Sequence, residues 1–206
     1  MDAISWAILI VAAYLIGSLP TAYLAGRLLK GTDIRRLGDK NAGAANVYHN
    51  LGHAIGIAVG VVDIGKGAAA VLLVQALTDG AAIQMAAGIA AVAGHNWPFF
   101  LHFRGGRGAA TAAGVLMAVV PIAAIPMSLA AFVILLFARN SVVALSFTFI
   151  PMPILAWFLG ANLTSVAYII LLPIIVGLSH FSSVKRLPDT RPQPVRRPVT
   201  HTTERR

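Results

Sequence analysis

Cysteine is absent from this 206-residue chain, which excludes disulfides, thiolate nucleophiles, Cys-bound zinc and iron–sulfur ligation. Charge is scarce as well: 11% of residues are charged against 58% hydrophobic, and the mean hydropathy is +0.80. Such a balance excludes an ordinary soluble domain, where roughly 25% of residues carry charge. The sequence has no Gly-x-x-x-x-Gly-Lys-Ser/Thr run that would cradle a nucleotide, and its histidines form no ligand-like cluster with carboxylates. No cofactor, metal or nucleic-acid partner is therefore expected.

What the chain does have is apolar length. Stretches 4–24, 55–77, 142–159 and 163–178 are near the ~20 residues that cross ~30 Å of hydrocarbon, and each reads as a transmembrane helix. The first stretch follows Asp2 rather than a basic segment and exceeds a signal-peptide core, so it is read as a span and not as a cleaved leader.

The sixteen Lys and Arg are clustered: Arg27, Lys30, Arg35, Arg36 and Lys40; Lys66; Arg104 and Arg107; Arg139; then Lys185, Arg186, Arg191, Arg196, Arg197, Arg205 and Arg206. Positive charge beside span ends marks the cytoplasmic side, which puts loops 26–52 and 94–108 and the tail 180–206 inside and demands an odd number of spans. Reading 109–138 as one helix gives an even number. Splitting it at Pro121 to Pro126 removes the conflict, because proline lacks a helical donor and clashes with the preceding turn. The expectation is an all-α integral membrane protein, a bundle of about seven transmembrane helices with the N-terminus outside and the C-terminus cytoplasmic. Only Asp2 and Asp79 would then be charged on the outer side. Residues 1–187 form the membrane-embedded domain, and 188–206, rich in Pro, Arg and Thr, reads as a disordered basic tail facing water or lipid headgroups.

Two inner loops carry the polar chemistry. Residues 31–52, GTDIRRLGDKNAGAANVYHNLG, are dense in Gly, Asn and charge, so that Gly38, Gly43 and Gly52 free the backbone while Asn41 and Asn46 either cap helix ends or bind a polar ligand. Residues 94–111, GHNWPFFLHFRGGRGAAT, place Arg104 and Arg107 around Gly105, Gly106 and Gly108, ahead of a helix that begins near Ala109 and includes Thr111. Glycines let an anion approach the main chain, a helix N-terminus offers free N–H groups, and guanidinium adds bidentate donors. A phosphate-binding loop follows, with a basic juxtamembrane turn on lipid headgroups as the alternative. Trp97, Phe99, Phe100 and Phe103 read as interfacial anchors or as the entrance for an acyl chain.

Asp63 and Lys66 stand on one face of the second span, where they can pair with each other and Lys66 can reach a phosphate. His95 and His102 fit hydrogen-bonded interface positions better than general bases. His180, Ser183, Lys185 and Arg186 follow the last span and would share the inner surface. Ser183 lacks the neighbours of an activated nucleophile, so direct transfer is simpler than a covalent intermediate.

Taken in order, GSLPTAYLAGRLLKGTDIRRLG, NAGAANV, DIGKG and GHNWPFFLHFRGGRGAAT resemble the bacterial acyl-phosphate:glycerol-3-phosphate acyltransferases, the PlsY family, over the chain up to about Leu187. The resemblance implies transfer of a fatty acyl group from acyl phosphate to the 1-hydroxyl of glycerol 3-phosphate, giving lysophosphatidate and phosphate, at the cytoplasmic face of a bacterial inner membrane. The small anionic phosphate substrate, acyl phosphate and membrane lipids would be the partners. It assigns phosphate binding to the segment from Arg104 to Gly108, with Arg107 at a position where the family usually has Lys. In the first loop Asp39 stands for the family's Ser, Ala45 for its Thr and His49 for its Arg. After the last span His180 keeps the family's His and Ser183 stands at its Asn, while Ser141 lies beside Val142, which occupies the place of an inner Ser. An anionic substrate beside Asp39 requires Lys40 or an arginine to offset the carboxylate. A diverged substrate, and a non-enzymatic anion transporter or scaffold, remain as alternatives. Transport favours a midplane site and internal symmetry, whereas here no repeat is evident and the polar residues gather at the inner face.

Overall fold

The computed structural model describes residues 2–138 and 140–184, except for the side chains of residues 136, 138, 141, 142 and 180–184. The disorder expected of the tail 188–206 lies outside the described residues. Those residues contain ten α-helices and two 3-10 turns, without strands: α1 (Ala3–Gly17), α2 (Thr21–Lys30), a turn at Ile34–Arg36, α3 (Ala44–Asn50), α4 (His53–Gln75), α5 (Ala81–Asn96), a turn at Phe99–Leu101, α6 (Ala109–Val119), α7 (Pro121–Ala138), α8 (Ser141–Phe149), α9 (Met152–Phe158) and α10 (Leu163–Val184).

Proline decides the breaks. The 4–24 stretch is not one helix: α1 ends at Gly17 and α2 restarts at Thr21, because Pro20 cannot donate into the helix it would continue. Nor is 142–159, which Pro151 divides into α8 and α9. The split expected inside 109–138 is present and falls at Val120, with Pro121 as the first residue of α7, where its missing N–H costs nothing, and with Pro126 carried inside that helix. Among the described residues two stretches are long and apolar enough to cross a membrane, Ala3–Lys30 taken through its break and His53–Gln75; the apolar parts of α6 to α10 are shorter.

Small residues set the packing at the centre. A Cβ on Gly67 of α4 would strike the Thr111 carbonyl of α6, and one on Gly114 of α6 would strike the Ile64 carbonyl of α4. Each helix therefore meets its neighbour through a glycine, the close approach typical of helices packing in lipid. Around this contact Val71, Val74, Ile83, Val92, Val115, Leu116, Ile169 and Leu172 form the main core. A second core of Ala22, Ile34, Ala42, Val47, Leu51 and Val59 lies under the first loop, which makes 31–52 a packed unit rather than a connector. The outward faces are apolar, with Ile4, Leu28, Ile122, Phe137, Ile150 and Phe158 largely exposed, as on a surface bathed in hydrocarbon.

Candidate functional site

The break before α2 shapes the floor of the site. Because the chain leaves helical geometry at Leu19, the Leu19 carbonyl turns inward and accepts from Lys66 Nζ at 2.9 Å. Lys66 also pairs with Asp63 at 2.9 Å, as their spacing on α4 predicts, and both are buried. Thr21 Oγ1, in the first turn of α2, donates to Asp63 Oδ1 at 2.5 Å, and His95 Nδ1 from the end of α5 stands 3.6 Å from the same oxygen. Asp63 Oδ2 is buried without a protein partner. An ammonium has three N–H groups; Asp63 and Leu19 engage two, which leaves one of Lys66 for the cleft it lines.

That cleft is small and partly open, with a volume of about 10 Å³, and lies between Leu19, Pro20, Thr21, Ala42, Lys66, His95, Pro98, Leu101, Gly105 and Gly106. Its walls are mainly the second loop singled out by sequence, with Ala42 contributed by the first. Gly106 is forced to be glycine by crowding, since a Cβ there would strike the His95 ring and approach the Ala42 carbonyl at 2.9 Å. Gly108, the residue before α6, has φ 82, a left-handed conformation that glycine adopts without strain.

The glycine-rich loop differs from expectation in one respect. The N–H groups of Gly105 and Gly106 do not point into open space; they donate to the carbonyls of Asn96 and His95 at 3.2 and 3.0 Å, closing the loop onto the end of α5. The cationic side chains and the N-terminus of α6 therefore remain as its means of meeting an anion. Arg104 is exposed, whereas Arg107 is half-buried and pairs with Asp39 of the first loop at 2.9 Å. The Asp39 carboxylate, expected to need a cation beside an anionic substrate, is thus answered by an arginine.

In the first loop, Asn46 serves as a tie. Its Nδ2 lies within donating distance of the Ile34, Leu37 and Asn41 carbonyls at 3.1, 3.0 and 2.8 Å, and its Oδ1 accepts from Asn50 at 2.7 Å, so both ends of the amide are engaged within the loop. Asn46 lies inside α3 and not at its cap, so its amide closes the loop instead of capping that helix. Asn41 is buried with Oδ1 unpartnered, beside Gly43, the residue that precedes α3. His49 lies apart from this group, exposed on α3 and edge-on to the Tyr48 ring at 5.3 Å. Thr111 is fully buried against Gly67 with its hydroxyl unpartnered. Ser141, His180 and Ser183 belong to α8 and α10, and their side chains lie outside the described residues.

Three contributors escaped the sequence reading. Thr21 reaches Asp63 only because Pro20 redirects the chain, and the proline was the available signal. Arg35 bonds Asp33 at 2.9 Å, reaches the Leu101 carbonyl at 3.4 Å and lies over the Tyr23 ring at 5.1 Å, linking the first loop to the second. This bond holds the Asp33 carboxyl below its ordinary range and raises the Arg35 guanidinium above its own. Tyr14 of α1 donates to the Trp97 carbonyl at 2.7 Å, from a distance in sequence no local pattern reveals.

The fold and the cleft together define a class: a protein all-helical in its described residues, with an apolar exterior and a small cleft lined by Lys66, His95 and the glycines of the second loop, beside which Arg107 pairs with the first loop. The family model described as glycerol-3-phosphate acyltransferase matches residues 7–190. A glycerol-3-phosphate acyltransferase 2 of Dehalococcoides mccartyi is 41% identical over 182 residues, 86% of each chain. A glycerol-3-phosphate acyltransferase of Synechococcus sp. is 37% identical over 184 residues, 87% of this chain and 90% of its own. The crystal structure of PlsY (YgiH), an integral membrane glycerol 3-phosphate acyltransferase, in its glycerol 3-phosphate form is similar with a TM-score of 0.77 at 31% identity, covering 88% of this chain and 91% of that one. Its lysophosphatidic acid form gives 0.75 at 30%. The chain belongs to the glycerol-3-phosphate acyltransferase family, and is an integral membrane acyltransferase of phospholipid synthesis.

Proposed function

We propose that this protein transfers a fatty acyl group from acyl phosphate to the 1-hydroxyl of glycerol 3-phosphate, yielding lysophosphatidate and inorganic phosphate. The observation that carries the reading is the cleft itself: Lys66 lines it with one N–H to spare, and the segment bearing Arg104 and Arg107 forms its wall ahead of the N-terminus of α6. These cations suit a phosphate group, and the similar crystal structures are of forms with glycerol 3-phosphate and lysophosphatidic acid. In the reaction the hydroxyl oxygen bonds to the acyl carbon while the acyl carbon–oxygen bond to phosphate breaks and phosphate departs. The hydroxyl proton passes to that phosphate or to His180. Because acyl phosphate has a good leaving group, the protein's task is to align the hydroxyl and to stabilise developing negative charge.

The site faces the cytoplasm of a bacterial plasma membrane in this reading, with about seven crossings, the N-terminus outside and the C-terminus inside. The placement of Lys and Arg supports this orientation. The test is phosphate release from a long-chain acyl phosphate by protein purified in lipid, with and without glycerol 3-phosphate, while lysophosphatidate is followed in the same samples. Release and product that both require glycerol 3-phosphate are the expected outcome. Folded protein that forms no lysophosphatidate would remove this reading and point to another acyl donor or polyol phosphate.

A further inference from the structure

Two of the departures from the family pattern are a single contact. Asp39 stands where the pattern has Ser and Arg107 where it has Lys, and the two side chains meet across the loops, Nη1 to Oδ2, at 2.9 Å. The loop, not the arginine, fixes where the carboxylate sits. Asp39 Oδ1 accepts from the Asn41 N–H at 3.2 Å, the Lys40 N–H closes on the Leu37 carbonyl at 2.9 Å, and Gly38 and Lys40 flank Asp39 with φ of 52 and 58. A left-handed Lys is uncommon, and such strain persists only where the surroundings impose it. Arg107 for its part keeps Nε buried and unpartnered. Its guanidinium thus has a carboxylate on one N–H while another awaits an acceptor.

We propose that Asp39 is a built-in competitor of the substrate phosphate: it pairs with Arg107, must be displaced from it by an incoming anion, and so sets the affinity of the site for phosphate. The proposal rests on the reading of Arg107 as part of a phosphate site. A carboxylate and a phosphate monoester seek the same planar donors of a guanidinium, so the two acceptors exclude each other there. Lys40, the neighbouring cation, does not relieve the competition, since the ion pair forms with Arg107 and not with it.

The experiment compares wild type, Asp39→Asn, Arg107→Gln and the double variant as full chains in lipid nanodiscs. Two quantities are read: equilibrium binding of inorganic phosphate, and the glycerol 3-phosphate dependence of lysophosphatidate formation. Asp39→Asn should bind inorganic phosphate about five-fold more tightly, the upper worth of a half-exposed ion pair, and lower the KM for glycerol 3-phosphate to a similar extent. In the Arg107→Gln background the same substitution should change nothing, and loss of measurable binding in both Arg107 variants counts as that result. Unchanged or weaker phosphate binding by Asp39→Asn, with the wild-type unfolding midpoint, would overturn the proposal. So would a gain that survives in Arg107→Gln, which would mark a diffuse charge effect, or an absence of phosphate binding in both wild type and Asp39→Asn. Asp39→Ser repeats the comparison should the Asn variant fail to fold. If wild type makes no lysophosphatidate yet its phosphate affinity depends on Asp39, the acylation reading fails and the competitor stands.

Discussion

Lys66 and Asp63 show how a single pair can be legible in sequence while its surroundings are not. Their spacing on one helix face predicts the contact, and the contact is there at 2.9 Å. Thr21 and His95, which complete the group around the same carboxylate oxygen, come from other helices, and nothing local connects them to α4. Removing one member of a buried pair leaves the other charge unanswered, at a cost of about 3–5 kcal/mol. Lys66→Met should accordingly lower the thermal unfolding midpoint of the purified protein markedly, while Asp63→Leu with Lys66→Met should recover most of the loss and still form no lysophosphatidate. A Lys66→Met protein as stable as wild type would show that the pair is not needed to satisfy Asp63. The roles of Gly105 and Gly106 were legible only in part. Their small size is required, but their N–H groups serve the His95 and Asn96 carbonyls, a use that depends on where α5 ends.

Among the elements, proline governed what could and could not be read. At Pro121 charge placement demanded a break and the break is present. At Pro20 and Pro151 hydropathy alone suggested continuous spans, and in both places the missing donor outweighed it. The first loop owes its order to buried Ile34, Val47 and Leu51 and to the Asn46 amide, which sequence shows only as alternating polar and apolar residues. Its link to the second loop through Asp33 and Arg35 has a pH signature. The bond from Arg35 lowers the Asp33 carboxyl, so the stabilisation is fully present above the unfolded-chain value near ~4 and fades as pH falls through the lower folded value. The stability difference between wild type and Asp33→Asn should be constant from pH 7 to about pH 5 and shrink steadily below about pH 4, as measured by unfolding midpoints across that range. A difference that does not change with acidification would separate the two loops' association from the titration of Asp33.

For the whole molecule, the absence of cysteine becomes an experimental convenience. One introduced thiol is the only one present, so Lys30→Cys and Asp79→Cys report the side of the membrane on which each exposed position lies. In intact cells an impermeant maleimide should label Asp79→Cys and not Lys30→Cys, and the reverse pattern would invert the proposed orientation. The all-helical, membrane-embedded architecture was legible because hydropathy and charge asymmetry act over the entire chain. The cleft was not, because it depends on contacts such as Tyr14 to Trp97 that join distant segments. Those same contacts share a property of another kind. Thr21, Asp39, Asp63, Lys66, His95 and Arg107 all precede α7, so both members of each of these pairs exist once Arg107 has been synthesised. Because chains emerge from the ribosome N-terminus first, the last four helices are made after the segment that already holds these polar partners.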